Sequence, residues 1–356
     1  MRDSLTLAVE RAWFQTPKLL LLLLPLEWLF AALTAFRRLA FRKGWLSSGH
    51  PGVPVIVVGN LTVGGTGKTP VVLGITQSLI ALGFRVAVVS RGYGGSSVGT
   101  VQVTPHSDYR EVGDEALLVA QSSDALVVVG RDRLAAAKHA VRLGAEVIIS
   151  DDGLQHYALQ RDVEVVTSDA KAGFGNGHLL PVGPLREPPR RLATVDFFLQ
   201  RGGQDPHSGT RYHAKQFRRL SDGELRSTCD PGFGPAVHAV AAIAQPQRFF
   251  ETLRGLGMEP IEHCFADHRP FLGSDFDGLD DLPVVLTAKD AVKCPGSLSS
   301  DIWILDMEIE FPEGFVEQLL KRASLLGAKR ASGSNAQSAS SKKAAPQTLT
   351  SGGDAL

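Results

Sequence analysis

The sequence predicts an α/β protein: a parallel sheet flanked by helices, then a second, smaller α/β lobe, with a membrane-associated helix at the N-terminus. Three observations carry this. From residue 53 onward, apolar runs of strand length alternate with helical patterns. The alternation stops in a turn-rich passage at about residues 202–234 and then resumes. Finally, a leucine-rich stretch near the N-terminus is followed at once by basic residues.

The elements follow in chain order. Between Leu19 and Phe36 lie eighteen residues, six of them consecutive leucines, whose only polar interruptions are Glu27 and Thr34; Pro25 disturbs the helix, and Arg37, Arg38, Arg42 and Lys43 come next. Such a length only reaches the lower limit of about 18 residues for a bilayer span. In helical projection Glu27, Thr34, Arg38 and Arg42 fall near one stripe, as expected of a helix lying in the headgroup region. That is the preferred reading, with a true span and a helix packed on protein as alternatives. A cleaved signal peptide is disfavoured, since no small-residue cleavage site follows. The predicted strands of the first lobe are VPVIVVG, RVAVVS, ALVVVG, EVIIS, VEVVTS and VDFFLQ, with helices over Lys68–Leu82 and Arg133–Leu143. The second lobe is AVHAVAAIA, a helix from Pro246 to Leu256, PVVLTA, DIWILDMEIEF and a last helix. The organisation is therefore 1–45 membrane-associating, 46–201 core, 202–234 connection, 235–327 smaller lobe, and 328–356 a tail too poor in apolar residues to pack.

Composition excludes some partners. The 356 residues are 44% hydrophobic, enough for a sizeable core, and 37 basic side chains balance 37 acidic ones, so no global field advertises nucleic acid. Cys229, Cys264 and Cys294 are 35 and 30 residues apart, a spacing of ordinary reduced thiols rather than of a disulfide frame or zinc site. No obligate protein partner is inferred.

The chemistry begins at NLTVGGTGKTP. A strand precedes it, a helix follows, and Gly64, Gly65 and Gly67 let successive backbone N–H groups converge on phosphate oxygens. Thr62, Val63, Gly64, Gly65, Thr66, Gly67, Lys68 and Thr69 form the expected nucleotide cradle, with Lys68 reaching the terminal phosphates of ATP and Thr69 holding Mg2+. The common pattern GxxxxGK[ST] has glycine where Thr62 stands. This is a P-loop NTPase-type sheet, and it needs an acid at the end of a neighbouring strand. Asp151 and Asp152, directly after EVIIS, supply a pair. Guanine specificity is disfavoured, because LTAKDAV places Lys289 next to Asp290 with no residue between them.

The blocks NLTVGGTGKTP, SRGYGG, GDEALL, GRDR, SDDGLQH, GPLREP and FADHRPF, in this order, resemble the signatures of the tetraacyldisaccharide 4'-kinase (lipid A 4'-kinase) family across roughly residues 1–325, and that family carries Thr at the first-glycine position. The resemblance implies ATP-dependent phosphorylation of the 4'-hydroxyl of an acylated glucosamine disaccharide 1-phosphate, giving lipid IVA, at the cytoplasmic face of a bacterial inner membrane. It implies an Asp–His pair with Asp114 as base and His268 orienting or tuning it. Without it, Asp114 fits a helix cap for EALLVA and His268 a surface histidine. Glu115 is a candidate in the magnesium sphere. Arg131, Arg133, Gln155, His156, Arg186 and Glu187 are candidates near the disaccharide and its phosphate, with salt bridges and solvated loops as the alternative. Asn60 either bonds a sugar hydroxyl or ends its strand, and SRGYGGSSVG reads as a mobile loop over the cleft, with Arg91 a candidate phosphate contact that nothing else in the sequence supports. Two other classes share the loop: a membrane-associated switch ATPase, which hydrolyses ATP without a lipid product, and a non-enzymatic nucleotide-binding module.

Overall fold

The computed structural model describes residues 13, 18–295, 298 and 301–325. The tail expected at 328–356, and most of the expectation for residues 1–17, lie outside the described residues. Helix α1 (Leu24–Arg42) follows a 3-10 turn, Lys18–Leu23. Pro25 sits in its first turn, where the missing N–H has no intrahelical partner to lose, so it starts the helix instead of kinking it. From Leu20 to Arg42 the segment is long and apolar enough to cross a membrane by length and composition. Leu22, Leu26, Leu29, Leu33 and Phe36 are exposed along it. The polar stripe faces the other way. Glu27 is buried: its Oε2 lies 2.9 Å from His178 Nδ1, and its Oε1 accepts the Leu179 N–H at 2.8 Å. Arg38, the next member of the stripe with a partner outside the helix, donates to the Thr194 hydroxyl at 3.4 Å. Glu27 and Arg38 of the stripe expected to meet headgroups therefore fasten α1 to the protein, while Arg42 is exposed. A carboxylate as buried as that of Glu27 is stable only where charge and N–H groups meet it.

The first part of the sheet runs β4 (Leu126–Gly130), β2 (Val86–Ser90), β5 (Val147–Asp151), β1 (Val55–Asn60), β6 (Val163–Asp169), β7 (Phe197–Arg201), all parallel, with β3 (Thr100–Val103) antiparallel on the β4 edge. Strand residues alternate between two cores. Ile56 and Val58 join α2 (Lys68–Ala81) and α4 (Asp114–Ser122) on one face, while Val55 and Val57 join α5 (Arg133–Arg142) on the other. Covering both faces is why these strands read as continuous apolar runs. A single-turn helix, α3 (Tyr109–Val112), precedes α4.

The passage expected to be turns, 202–234, contains the 11-residue strand β8 (Gly209–Arg219) and the short β9 (Leu225–Ser227). β8 is parallel to β7 through two residue pairs and antiparallel to β13 (Ile302–Glu310), so it joins both parts into one 13-stranded sheet. Its sequence, GTRYHAKQFRR, alternates half-buried and exposed positions with charged residues on both faces, which hides the strand. Beyond β13 come β12 (Val284–Thr287), β10 (Ala236–Ala241) and β11 (Glu259–Cys264), parallel to one another. Helix α6 (Pro246–Gly255) covers this part, and a single-turn helix, α7 (Ala288–Ala291), follows β12. The last helix, α8 (Phe315–Arg322), returns to the first part, where Phe315 and Leu319 enter the core beside α2.

Candidate active site

Val63 to Thr69 line a cleft of about 1540 Å³ that takes its walls from both parts of the sheet. Gly64 and Gly67 have φ of 102° and 80°, a region that favours glycine, and a Cβ on Gly67 would lie 2.8 Å from the Tyr212 hydroxyl oxygen. That packing leaves the loop backbone free to approach a ligand closely. Lys68 then opens α2, with its ammonium 3.1 Å from Asp152 Oδ1 and donating to Asn60 Oδ1 at 3.3 Å. Two expected residues lie behind the loop. Thr62 is buried and bridges to Leu185, and Asn60 is buried with its amide donating to the Gly64 carbonyl at 3.4 Å; neither lines the cleft. Asn60 thus braces the loop and its lysine, and the sugar contact expected of it has no surface to act through.

The acid pair ends β5. Asp151 is buried, and its Oδ1 has no hydrogen-bond partner. Burial, then the charge of Glu115, pushes its carboxyl up to about 7. Asp152 has φ 48°, which turns its side chain out of the strand line toward Lys68 and Arg186. Burial would raise the Asp152 carboxyl, but those two cations overcome it and hold the group at about 2. Arg133 is buried and donates to Ser150 Oγ at 3.0 Å and to the carbonyls of Asp151 and Asp152. It fixes the strand end, and it also lines the cleft.

Among the described residues, no three or more His, Cys, Asp or Glu form a metal cage. Magnesium does not need one: it takes one or two carboxylates and fills its other positions with water and phosphate oxygens. The unpartnered Asp151 Oδ1, with Thr69, Glu115 and Asp152 lining the same cleft, fits that demand.

Across the cleft, Gly113 (φ 87°, ψ 147°) is the N-cap of α4, so Asp114 is not the capping residue. Its Oδ2 lies 2.8 Å from His268 Nδ1, and its Oδ1 accepts the Glu115 N–H at 2.9 Å. His268 has φ 59°, a conformation uncommon for any residue with a side chain. Burial would raise the Asp114 carboxyl, but the His268 hydrogen bond and the Lys289 charge lower it below the usual carboxylate range. The same hydrogen bond raises the His268 ring, against burial and Lys289. The ring lines the cleft and Asp114 sits behind it, the reverse of an aspartate placed at the hydroxyl with a histidine in support.

On the expected acceptor side, Arg131, Gln155, His156 and Arg186 line the cleft. Burial, then the nearby Arg133, lowers the His156 ring to about 4, so it stands neutral at pH 7. Arg186 donates to both Asp152 oxygens at 3.1 Å. Glu187 does not reach the cleft: it accepts from Gln155 at 3.0 Å and from the Tyr157 hydroxyl at 2.9 Å, and it anchors the segment that carries Arg186. In the SRGYGG loop, Arg91 lines the cleft, and the Tyr93 ring stands edge-on to His268 at 5.6 Å. Sequence reasoning missed Tyr93, Arg37 and Lys289, all of which line the cleft. For Lys289 there was a signal, since it follows directly on the end of a parallel strand, where ligand sites of such sheets gather.

A glycine loop between β1 and α2, facing an Asp–His pair over one cleft, defines a P-loop phosphotransferase. Comparison with known proteins narrows the class. The profile of the tetraacyldisaccharide-1-P 4'-kinase family matches residues 19–324. Tetraacyldisaccharide 4'-kinase from Methylobacillus flagellatus is 43% identical over 330 residues, covering 92% of this chain and 98% of that protein. The enzyme of the same name from Thiobacillus denitrificans is 45% identical, covering 89% and 99%. A crystal structure of LpxK from Aquifex aeolicus in complex with ATP superposes with a TM-score of 0.69 at 28% identity, covering 85% of this chain and 98% of that one. The chain belongs to the tetraacyldisaccharide-1-P 4'-kinase family.

Proposed function

We propose that this kinase transfers the γ-phosphate of ATP to the 4'-hydroxyl of a tetraacylated glucosamine disaccharide 1-phosphate, giving lipid IVA for lipid A. The observation that carries the reading is that Lys68 of the loop and His268 of the Asp–His pair line the same cleft. Val63–Thr69 would hold the phosphates of ATP, with Lys68 neutralising charge on the terminal ones. Thr69, Asp151, Asp152 and Glu115 are the residues that would hold Mg2+, which when bound supplies charge neutralisation on the phosphate oxygens. The acceptor oxygen bonds the γ-phosphorus, the bond from that phosphorus to the ADP oxygen breaks, and the hydroxyl proton goes to the Asp114–His268 pair. In this arrangement the ring meets the hydroxyl and the buried carboxylate compensates the charge the ring acquires. Arg186 and Arg131 are the cations available to the acceptor, with Gln155 and His156 as polar contacts.

The exposed leucines of α1 lie against the membrane at its cytoplasmic face, where the acyl chains of the substrate reside. The sheet then acts as two lobes, 46–201 and 235–327, with 202–234 between them. Incubating the protein with labelled ATP, magnesium and the disaccharide 1-phosphate in detergent should yield a doubly phosphorylated lipid. ATP hydrolysis without that product would overturn the reading.

A further inference from the structure

The motif LTAKDAV is left unexplained by the P-loop and the Asp–His pair, yet it reaches the heart of the cleft. Two of its residues, Thr287 and Asp290, with Lys293 just after it, are built as one unit. Thr287 caps α7 by accepting the Asp290 N–H at 3.1 Å, and Asp290 Oδ2 accepts from the Thr287 hydroxyl at 2.7 Å and from the Ala242 N–H at 3.1 Å. Lys293, almost wholly buried, stands 2.8 Å from Asp290 Oδ1 and donates to the Ala242 carbonyl at 3.1 Å. That carbonyl also accepts the His268 backbone N–H at 3.3 Å. The buried Lys–Asp pair therefore fixes both the start of α7 and the backbone of His268.

From this platform Lys289 extends into the cleft. Its Nζ donates to Glu115 Oε1 at 3.0 Å and lies 3.4 Å from His268 Nε2. An ammonium has three donors and no acceptor, so a hydrogen bond to Nε2 requires the lone pair of that nitrogen. The ring proton must then sit on Nδ1, where Asp114 Oδ2 accepts it at 2.8 Å. The two contacts agree on one tautomer, and the other group facing Nε2, Asp267 Oδ2 at 3.8 Å, is beyond hydrogen-bond reach.

We infer that Lys289 is a positioning residue: it holds the His268 ring in the tautomer whose Nε2 lone pair faces the cleft, and it ties that ring to Glu115 of the opposite wall. This rests on the reading of Asp114 and His268 as the base. Lys289 thereby presets the ring before the acceptor hydroxyl arrives and gives up its contact with Nε2 when the hydroxyl takes its place, while the Glu115 contact keeps the ammonium nearby.

The test has two parts. In protein labelled with ¹⁵N-histidine, with the His268→Gln variant used for assignment and spectra recorded on the alkaline side of the ring's titration, the His268 signals should show a protonated Nδ1 and an unprotonated Nε2; the opposite tautomer overturns the inference and needs no variant of Lys289. In steady-state assays, Lys289→Met should lower kcat by about 10²-fold, the scale of a misplaced reacting group, with the KM for ATP and for lipid little changed. Lys289→Arg should recover part of that loss. In a His268→Ala background, Lys289→Met should cost almost nothing more. A multiplicative loss there, or wild-type kcat in Lys289→Met, refutes positioning through the ring. Asp114→Asn separates the two ideas: near-wild-type turnover in that variant sinks the base reading itself, whatever Lys289 does.

Discussion

His268 Nδ1 lies 2.8 Å from Asp114 Oδ2, although 154 residues separate them in the chain. One comes from the loop after β11 and the other from the first turn of α4, so the contact exists only when the two parts of the sheet are assembled. Groups joined this way act as a unit. Asp114→Ala and His268→Ala are each expected to lower kcat by about 10²-fold or more, and the double variant should be little worse than the poorer single one. Fully multiplicative losses in single-turnover assays would mean that the two residues work apart.

The same contact sets a pH dependence. The Asp114 hydrogen bond raises the His268 ring above its ordinary value of 6.5, against burial and the Lys289 charge. A base must be neutral to accept a proton, so activity is full above the raised value and falls as pH drops through it. The acid limb of kcat/KM for the free enzyme should therefore lie above about 6.5. Asp114→Asn removes the charge that raises the ring, and the limb of its residual activity should move down. A limb that stays in place would assign it to another group.

Lys68 lies between Asn60 and Asp152, and it is the cation that the loop itself contributes to the cleft. Lys68→Ala is expected to lower turnover by about 10²–10³-fold, as loss of one preorganised charge does. Folding should be little disturbed, since Asp152 keeps Arg186 as a partner. Near-wild-type phosphorylation by a folded variant would contradict the cradle.

Parts of this arrangement were legible in the sequence for definite reasons. β1 and β5 are buried on both faces, so each reads as an unbroken apolar run, and the glycines and Lys68 follow at fixed offsets. β8 was hidden because charged residues occupy both of its faces, and β11 because it is an exposed edge rich in polar residues. The tautomer contact of Lys289 was out of reach, since its partners Glu115 and His268 are 174 and 21 residues away. Helical projection found the polar stripe of α1 but could not say which side of the helix the protein occupies. Glu27 decides that: its two oxygens are spent on His178 and Leu179.

That orientation sharpens the expectation for the membrane. With Glu27 turned inward, the face left outside carries Leu26, Leu29 and Leu33, each more than half exposed. Burying a leucine in an apolar phase contributes about 1.5–3 kcal/mol, so even partial entry of the three side chains into the bilayer holds the protein there. Residues 1–45 add seven basic side chains against three acidic ones, in a chain that is neutral overall. Each basic residue near an anionic leaflet contributes about 1 kcal/mol. Replacing the three leucines with serine should lower partition onto vesicles containing phosphatidylglycerol by about 10²-fold or more, and phosphorylation of bilayer-embedded lipid with it. ATP binding should survive, because these side chains touch no part of the cleft. High salt should reproduce only part of the loss, since it screens the arginines and leaves the leucines unaffected. Deleting residues 1–36 should go further, removing both the apolar face and the Glu27 contact. If the serine variant sediments with vesicles as fully as the wild type at low salt, the outward face of α1 is not the tether.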